Sequence, residues 1–394
     1  MNNSKDKKFK RTEIGMIPSD WEEVYIGNIN IEIQRGGSPR PIEKYLTNSM
    51  DGVNWIKIGD TNPSDKYINS TKEKITKEGA MYSREVHKGE FLLSNSMSYG
   101  RPYILNIDGY IHDGWLVLRH FEENFNVDYL YYCLSYDIVK KQYDNLASGS
   151  GVKNLNKDII KKVIVARPSK PEQEKIANVL IRIDNLIEDY EKLIAKKEKM
   201  RQGLMQNLLT GKERLKGFNG KWLCYKISDI YDVEKGSIIT EKEIKKGNIP
   251  VIAGGKKPAY YHNAYNRNGD VITISASGAN AGFVNFYNIP IFASDCITIV
   301  SNSDNSIHLL YYILNNVQKS IYELQTGGAQ PHVYPINVKN LEIKLPKDTE
   351  EQCQIVRVLL NADNEINCLK IKLNKIVNIK KGMLDNLLTG KIRL

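Results

Sequence analysis

The chain is poor in the residues from which metal cages, disulfide cores and membrane spans are made. Its 394 residues include five cysteines, Cys133, Cys224, Cys296, Cys353 and Cys368, and none stands in a C-x-x-C spacing. Neither a zinc site nor a disulfide framework is therefore expected, and a reducing cytoplasm is the simplest compartment. The six histidines are equally dispersed, without an H-E-x-x-H pattern. No apolar run approaches the roughly 18 to 20 residues that cross a bilayer. The opening segment Met1–Pro18 is polar and basic, without the apolar core of a signal peptide. No membrane partner is expected.

What is present is an ordinary globular composition, 41% hydrophobic and 26% charged, which argues against wholesale disorder. The length allows two or three domains with proper cores. The formal net charge of +10 and pI near 9.0 favour a polyanionic partner.

An internal repeat organises the chain. Asn207-Leu-Leu-Thr-Gly-Lys-Glu-Arg-Leu215 recurs as Asn386-Leu-Leu-Thr-Gly-Lys-Ile-Arg-Leu394, displaced by 179 residues with one mismatch. At the same displacement Gln173 matches Gln352, Ile176 matches Ile355, Leu180 matches Leu359, Asp184 matches Asp363 and Gly203 matches Gly382. Upstream, Leu130-Tyr-Tyr-Cys-Leu134 resembles Leu310-Tyr-Tyr-Ile-Leu314. Gly89-Glu-Phe-Leu-Leu-Ser94 likewise resembles Gly269-Asp-Val-Ile-Thr-Ile274, and Trp21 and Trp222 open the two halves. The unit is a globular domain followed by a long helix. The copies agree best in the helix and least in the domain, as expected when a scaffold is kept and a working surface changes.

The helix pattern is strong from about Pro171 to Thr210. Ile176, Ile183, Tyr190, Lys197 and Leu204 fall seven apart, with Val179, Leu186, Leu193 and Met200 as the second heptad position and Leu180, Ile187 and Ile194 widening the stripe. Ser169-x-x-Glu172 predicts a capping box and Gly211 a left-handed end. In the second copy Thr349-x-x-Gln352 predicts the start, Ile355, Ala362, Leu369, Ile376 and Met383 run seven apart, and Gly390 ends the helix. Stripes this long need a partner, so the two helices are expected to pair as an antiparallel coiled coil. Each would be about 55 to 60 Å long at 1.5 Å per residue. A DNA turn is roughly 34 to 36 Å, so the coil would hold two DNA readers somewhat more than one turn apart on the same face of the duplex and act as a ruler.

The sequence thus predicts an α/β (α+β) class: domain 1–168, helix 169–216, domain 217–346 and helix 347–394. Predicted strands are Val53–Ile58, Phe91–Ser94, Trp115–Leu118 and Val163–Val165, then Val271–Ile274, Ile297–Val300 and Leu341–Leu345. Predicted domain helices are Val127–Leu146 and Ile307–Leu324, each closing on a Gly-rich turn. The loops of both domains interleave Gly and Ser with basic, amide and tyrosine side chains, chemistry that suits phosphates and base edges. Examples are Arg35-Gly-Gly-Ser-Pro-Arg-Pro41 and Ser94-Asn-Ser-Met-Ser-Tyr-Gly-Arg101 in the first domain, and Ser275-Ala-Ser-Gly-Ala-Asn280 and Gly327-Gly-Ala-Gln-Pro-His332 in the second.

Independent catalysis finds little support. The chain has no Pro-Pro dipeptide, which the flipped-base loop of a DNA amino-methyltransferase needs, and Gly149-Ser-Gly151 follows a helix rather than a strand. Glu342-Ile-Lys344 has the look of a nuclease motif but lacks an upstream acidic partner. A coiled-coil scaffold carrying two protein-binding domains is the alternative that composition leaves open.

Three stretches together resemble the specificity subunits of type I restriction–modification systems. They are Gly15-Met-Ile-Pro-Ser-Asp-Trp-Glu22, Pro168-Ser-Lys-Pro-Glu-Gln-Glu-Lys-Ile176, and the Leu-Leu-Thr-Gly-Lys-x-Arg-Leu ending of each half. The resemblance spans essentially the whole chain. It implies a non-catalytic subunit whose two recognition domains each read half of a bipartite double-stranded DNA target, with the helices setting the gap. It also implies two methylation subunits using S-adenosylmethionine, and restriction subunits using ATP and Mg, with no cofactor on this chain. The helices would contact those partners through Ile176, Ile183, Tyr190, Leu204, Ile355, Leu369, Ile376 and Met383. DNA contacts are expected at Arg35, Arg40, Ser96, Tyr99, Arg101 and Lys153, and at Lys235, Lys256, Lys257, Asn280, Gln330 and His332. In the second helix the start reads Asp348-Thr-Glu-Glu-Gln352, and Arg357 and Glu365 stand where the first has Asn178 and Leu186.

Overall fold

The three strands that read as unbroken apolar runs, Phe91–Ser94, Pro102–Leu105 and Trp115–Arg119, lie side by side with nearly every residue buried. Such runs need cover on both faces, and they have it. The side chains alternate between two cores. Phe91, Leu93, Leu116 and Leu118 join one cluster, and Leu92, Trp115 and Val117 join another with Ile56, Val86 and Ile111.

The computed structural model describes residues 8–62, 65–96, 99–147 and 154–394. It folds as two compact units, one formed by residues up to Asp189 with Leu373–Leu394, the other by Tyr190–Lys372.

In the first unit a five-stranded sheet runs in the order Glu32–Arg35, Trp115–Arg119, Phe91–Ser94, Pro102–Leu105, Tyr67–Ile68. A second sheet runs Leu46–Thr47, Glu73–Ile75, Val53–Ile56, Gly109–Ile111, Arg84–Val86, with a parallel pairing of Trp55 to Tyr110. Helices Val127–Ser135 and Asp137–Ala147 cover the first sheet's outer face. The sequence predicts these as one helix. The break falls at Tyr136, whose backbone is extended at ψ 145° and whose hydroxyl donates to Asp385.

The second unit repeats the plan with fewer strands: Tyr231–Lys235, Cys296–Ser301, Val271–Ser275, Val284–Tyr287, beside a smaller sheet of Tyr260–His262, Ile249–Ile252 and Phe292–Ala293. Its helix also divides, into Ile307–Asn316 and Gln318–Tyr322, at Val317. The alternation recurs, with Ile272, Ile274, Ile297 and Ile299 facing the helices, and Val271 and Cys296 facing Ile252 and Ala293.

The long helices span Lys170–Leu208 and Thr349–Leu388. Both end as expected, with Gly211 at φ 69° and Gly390 at φ 68°. They are antiparallel within each unit. In the first, Asp184 pairs with Lys380 at 2.6 Å; in the second, Glu365 pairs with Lys197 and Glu198 with Lys370, both at 2.7 Å.

Two helix expectations need correction. The heptad places Leu186, Leu193 and Met200 in the seam, yet they stand 43%, 39% and 52% exposed. The covered side is that of Leu180 and Ile194, because each unit's helix stretch turns that face toward its partner and domain. Glu172 does not cap its helix. Its carboxylate accepts from Trp21 Nε1 at 3.1 Å and from Arg393 Nη2 at 2.7 Å. In the second copy the cap is Asp348, whose Oδ1 accepts from the Glu350 amide.

Of the residues expected on the helix stripe, Ile176 and Ile355 are fully buried in the cores of their own units. Met383 packs on the first core and Leu204 on the second. Ile183, Tyr190, Leu369 and Ile376 are half-buried. No helix among the described residues is long and apolar enough to cross a membrane.

Candidate nucleic-acid interface

In each unit the ends of the main sheet's strands bring several loops to one edge. Gly36 explains the first close approach. Its amide donates to the Trp115 carbonyl at 2.9 Å, and a Cβ there would lie 2.1 Å from the His112 carbonyl oxygen. Only glycine lets the 35–41 loop lie against the 112–114 turn. The Asn95 amide donates to Gly114, and the Leu155 amide to the Asn95 carbonyl, each at 2.9 Å. Four loops are thereby laced together.

The second unit repeats these bonds. Gly236 donates to the Cys296 carbonyl at 2.8 Å, and its Cβ would lie 2.2 Å from the Ser294 carbonyl oxygen. Ala276 donates to Asp295 at 3.2 Å, and Val333 to the Ala276 carbonyl at 2.9 Å. The registers agree: Leu116 lies opposite Arg35, and Ile297 opposite Lys235. The backbone framework is shared while the side chains it carries differ.

Arg35 and Arg40 are exposed and converge on Asp113. Arg35 Nε donates to the Asp113 carbonyl at 2.8 Å, and Arg40 Nη2 stands 3.5 Å from Asp113 Oδ2. Ser38 Oγ donates to Asp113 Oδ1 at 2.9 Å, and Asn95 Nδ2 to the Asp113 carbonyl at 2.9 Å. A pocket of about 340 Å³ opens beside Arg35, Asn95, Asn154 and Asn156. Asn95 is 3% exposed and its Oδ1 is buried without a hydrogen-bond partner among the described residues. His112 closes the turn, with Nδ1 accepting from the Gly114 amide at 2.9 Å, and burial holds its imidazole below the usual histidine range.

The other expected contacts spread more widely. Ser96 is half-buried at the start of the 95–101 loop. The Tyr99 hydroxyl donates to the Asp144 carboxylate. Arg101 is half-buried and lines a separate pocket with Asp65, Tyr131 and Lys140. Lys153 lies outside the described residues.

In the second unit Lys235, Lys256, Lys257 and Gln330 are exposed, and Asn280 and His332 half-buried. Lys256 Nζ sits 5.4 Å from the Phe283 ring centroid. Ser275 Oγ donates to the Gly255 carbonyl at 3.3 Å, and the Gly278 amide to Pro331 at 3.0 Å, which joins the lysine loop, the 276–282 hairpin and the 326–333 loop. Thr326 and His332 exchange backbone bonds of 2.8 and 2.9 Å, and the His332 ring stacks on Tyr334.

Residue types alone missed Asn95, His112, Asp113 and Asp295, because a carboxylate or a buried amide carries no signature of a surface meeting a polyanion. The one signal was their position beside Gly-rich turns. Among the described residues no three His, Cys, Asp or Glu side chains gather in a way that could hold a metal ion.

A family model described as the type I restriction modification DNA specificity domain matches twice, over residues 18–198 and 219–378. The chain belongs to that family. It is similar, at 24% identity over 99% of this chain and 97% of the relative, to the MjaVIII type I restriction enzyme specificity subunit of Methanocaldococcus jannaschii. Among solved structures it resembles the S subunit of a type I system from M. genitalium, with TM-score 0.64, 17% identity, and coverage of 93% and 96%. It also resembles the HsdS subunit from Thermoanaerobacter tengcongensis, with TM-score 0.52, 18% identity, and coverage of 95% and 98%. The chain is thus a type I specificity subunit carrying the DNA specificity domain in two copies, and the scaffold alternative falls.

Proposed function

We propose that each unit reads one half of a bipartite duplex target and that the long helices set the unspecific gap between the halves. One observation carries this reading: the loop edges of the two units share a hydrogen-bond framework, anchored at Gly36 and Gly236, yet present different polar side chains. Two readers of one design with different preferences have this form. Arg35 and Arg40 in one unit, and Lys256, Lys257 and Gln330 in the other, supply cations and donors for phosphates and base edges.

The chain works as the addressing part of a larger machine. Two methylation subunits, using S-adenosylmethionine, dock on the helices, and restriction subunits supply ATP- and Mg-dependent cleavage. The exposed Leu186, Leu193 and Met200, on a helix otherwise rich in charge, support a docking role for these faces.

The test is a methylome. The chain is co-expressed with its methylation subunit in a methylation-free host and adenine methylation is mapped by long-read sequencing. A motif in two short parts with a fixed gap, lost when this chain is omitted, is the expected result. Methylation unchanged by its omission would overturn the reading.

A further inference from the structure

We infer that Asp113 is a specificity-determining positioning residue of the first unit: it aims Arg35 and Arg40 at the base edges of one half-site. The inference rests on the proposed reading of these loops as DNA-facing.

A carboxylate on a surface that meets a polyanion is opposed by Coulomb repulsion, so its presence there needs a compensating role. Asp113 has one, because it is the node of the loop edge. Its carbonyl takes Arg35 Nε at 2.8 Å and Asn95 Nδ2 at 2.9 Å. Its carboxylate takes Ser38 Oγ at 2.9 Å and faces Arg40 Nη2 at 3.5 Å. The Asp113 amide donates back to Ser38 Oγ at 3.3 Å. Ser38 and Asp113 thus lock the 35–41 loop to the 112–114 turn, with Arg35 held by the Asp113 carbonyl and Arg40 facing its carboxylate.

Arginine is flexible, and a guanidinium reads guanine only when its two donors are held in the plane of the base. In water the Arg40 pair is worth little, since the Arg40 side chain is 82% exposed. Against DNA the same pair is shielded from solvent and its directing effect grows. Among the described residues no other side-chain hydrogen bond engages either guanidinium, which leaves donors for the base.

The second unit lacks this node. The turn there is one residue shorter, since the Gly36 and Gly37 amides reach Trp115 and Ile111 whereas those of Gly236 and Ser237 reach Cys296 and Ala293, and Ser294 Oγ accepts from the Ile239 amide. The neighbouring acid, Asp295, is engaged by Ser277 Oγ. The device belongs to one half-site alone.

The test selects bound sequences from a randomised duplex pool with the purified full-length chain, as wild type, D113N, R40A and the double variant. Wild type is expected to enrich a two-part motif. D113N and R40A are each expected to loosen the same positions in one half, with discrimination there falling about 5- to 150-fold, the range of one bidentate base contact. The double variant loosens them no further, and affinity of D113N for unrelated duplex does not fall, since it has lost a negative charge. A purely structural role would weaken specific and unrelated duplex together. R40A alters an exposed side chain and keeps the inference testable if D113N unfolds. A motif left intact by R40A or by folded D113N, loosening in both halves, or additive losses would overturn the inference alone. A wild-type chain that enriches no motif would overturn the reading on which it rests.

Discussion

Arg393 donates to Glu172 at 2.7 Å across 221 residues of sequence, and Arg214 repeats the pairing with Glu351 at 2.7 Å in the other unit. The two arginines are the penultimate residues of the repeated Leu-Leu-Thr-Gly-Lys-x-Arg-Leu segments. Each guanidinium also lies over a tryptophan, Arg393 5.6 Å from the Trp21 ring and Arg214 5.7 Å from Trp222. The repeated segment is therefore a clasp, which closes a recognition domain onto a helix start. The copies differ in one respect: Asp20 adds two bonds to Arg393 at 2.8 and 2.9 Å, whereas Arg214 uses the Gly220 carbonyl.

Substituting Arg393→Ala strands the Glu172 carboxylate, which is 7% exposed, beneath Trp21. Removing one partner of such a pair costs on the order of 3 kcal/mol. In calorimetry the first unit is expected to unfold at lower temperature while the second keeps its transition; Arg214→Ala should reverse the pattern. Equal effects on both transitions would contradict the clasp assignment.

Gly36→Ala and Gly236→Ala test the loop edges separately. A Cβ 2.1 or 2.2 Å from a carbonyl oxygen cannot be accommodated without moving the loop. Each should cost about 1 to 3 kcal/mol of stability and weaken recognition of its own half-site only, measured by fluorescence anisotropy with duplexes altered in one half at a time. Loss of both halves from either substitution would contradict independent readers.

His112 makes the first edge sensitive to acid. Burial depresses its pKa, and Nδ1 accepts a hydrogen bond that only the unprotonated nitrogen can take. The unfolded chain then binds the proton more readily than the folded one. Stability is full above about 6.5, the unfolded value, and falls as pH drops from there through the folded-state value. The urea midpoint of the first unit should be lower at pH 5.5 than at pH 7.5, and His112→Phe should flatten that difference. An NMR titration placing His112 above 6.5 would refute it.

Much of the scaffold was legible because it rests on local or repeated signals. The Gly211 and Gly390 ends and the apolar runs at Phe91 and Trp115 follow from residue chemistry at short range. What was not legible depends on partners far away in sequence. Glu172 has the spacing of a helix cap, but Trp21 and Arg393 claim its carboxylate. Leu186 fits the heptad, yet which side of a wide stripe is covered depends on the packing of the partner helix. Asp113 carries no local signal, and its partners Arg35 and Ser38 lie 78 and 75 positions upstream. The helix break at Tyr136 has no glycine or proline to announce it.

The central claim, two fixed readers on a helical spacer, is tested most directly by inserting four residues into both long helices and mapping the methylated motif. Four residues add about 6 Å to a helix, close to the rise of two base pairs at roughly 3.4 Å each. The account expects both half-sites unchanged and the gap between them longer by that amount. Altered half-sites with an unchanged gap would contradict it.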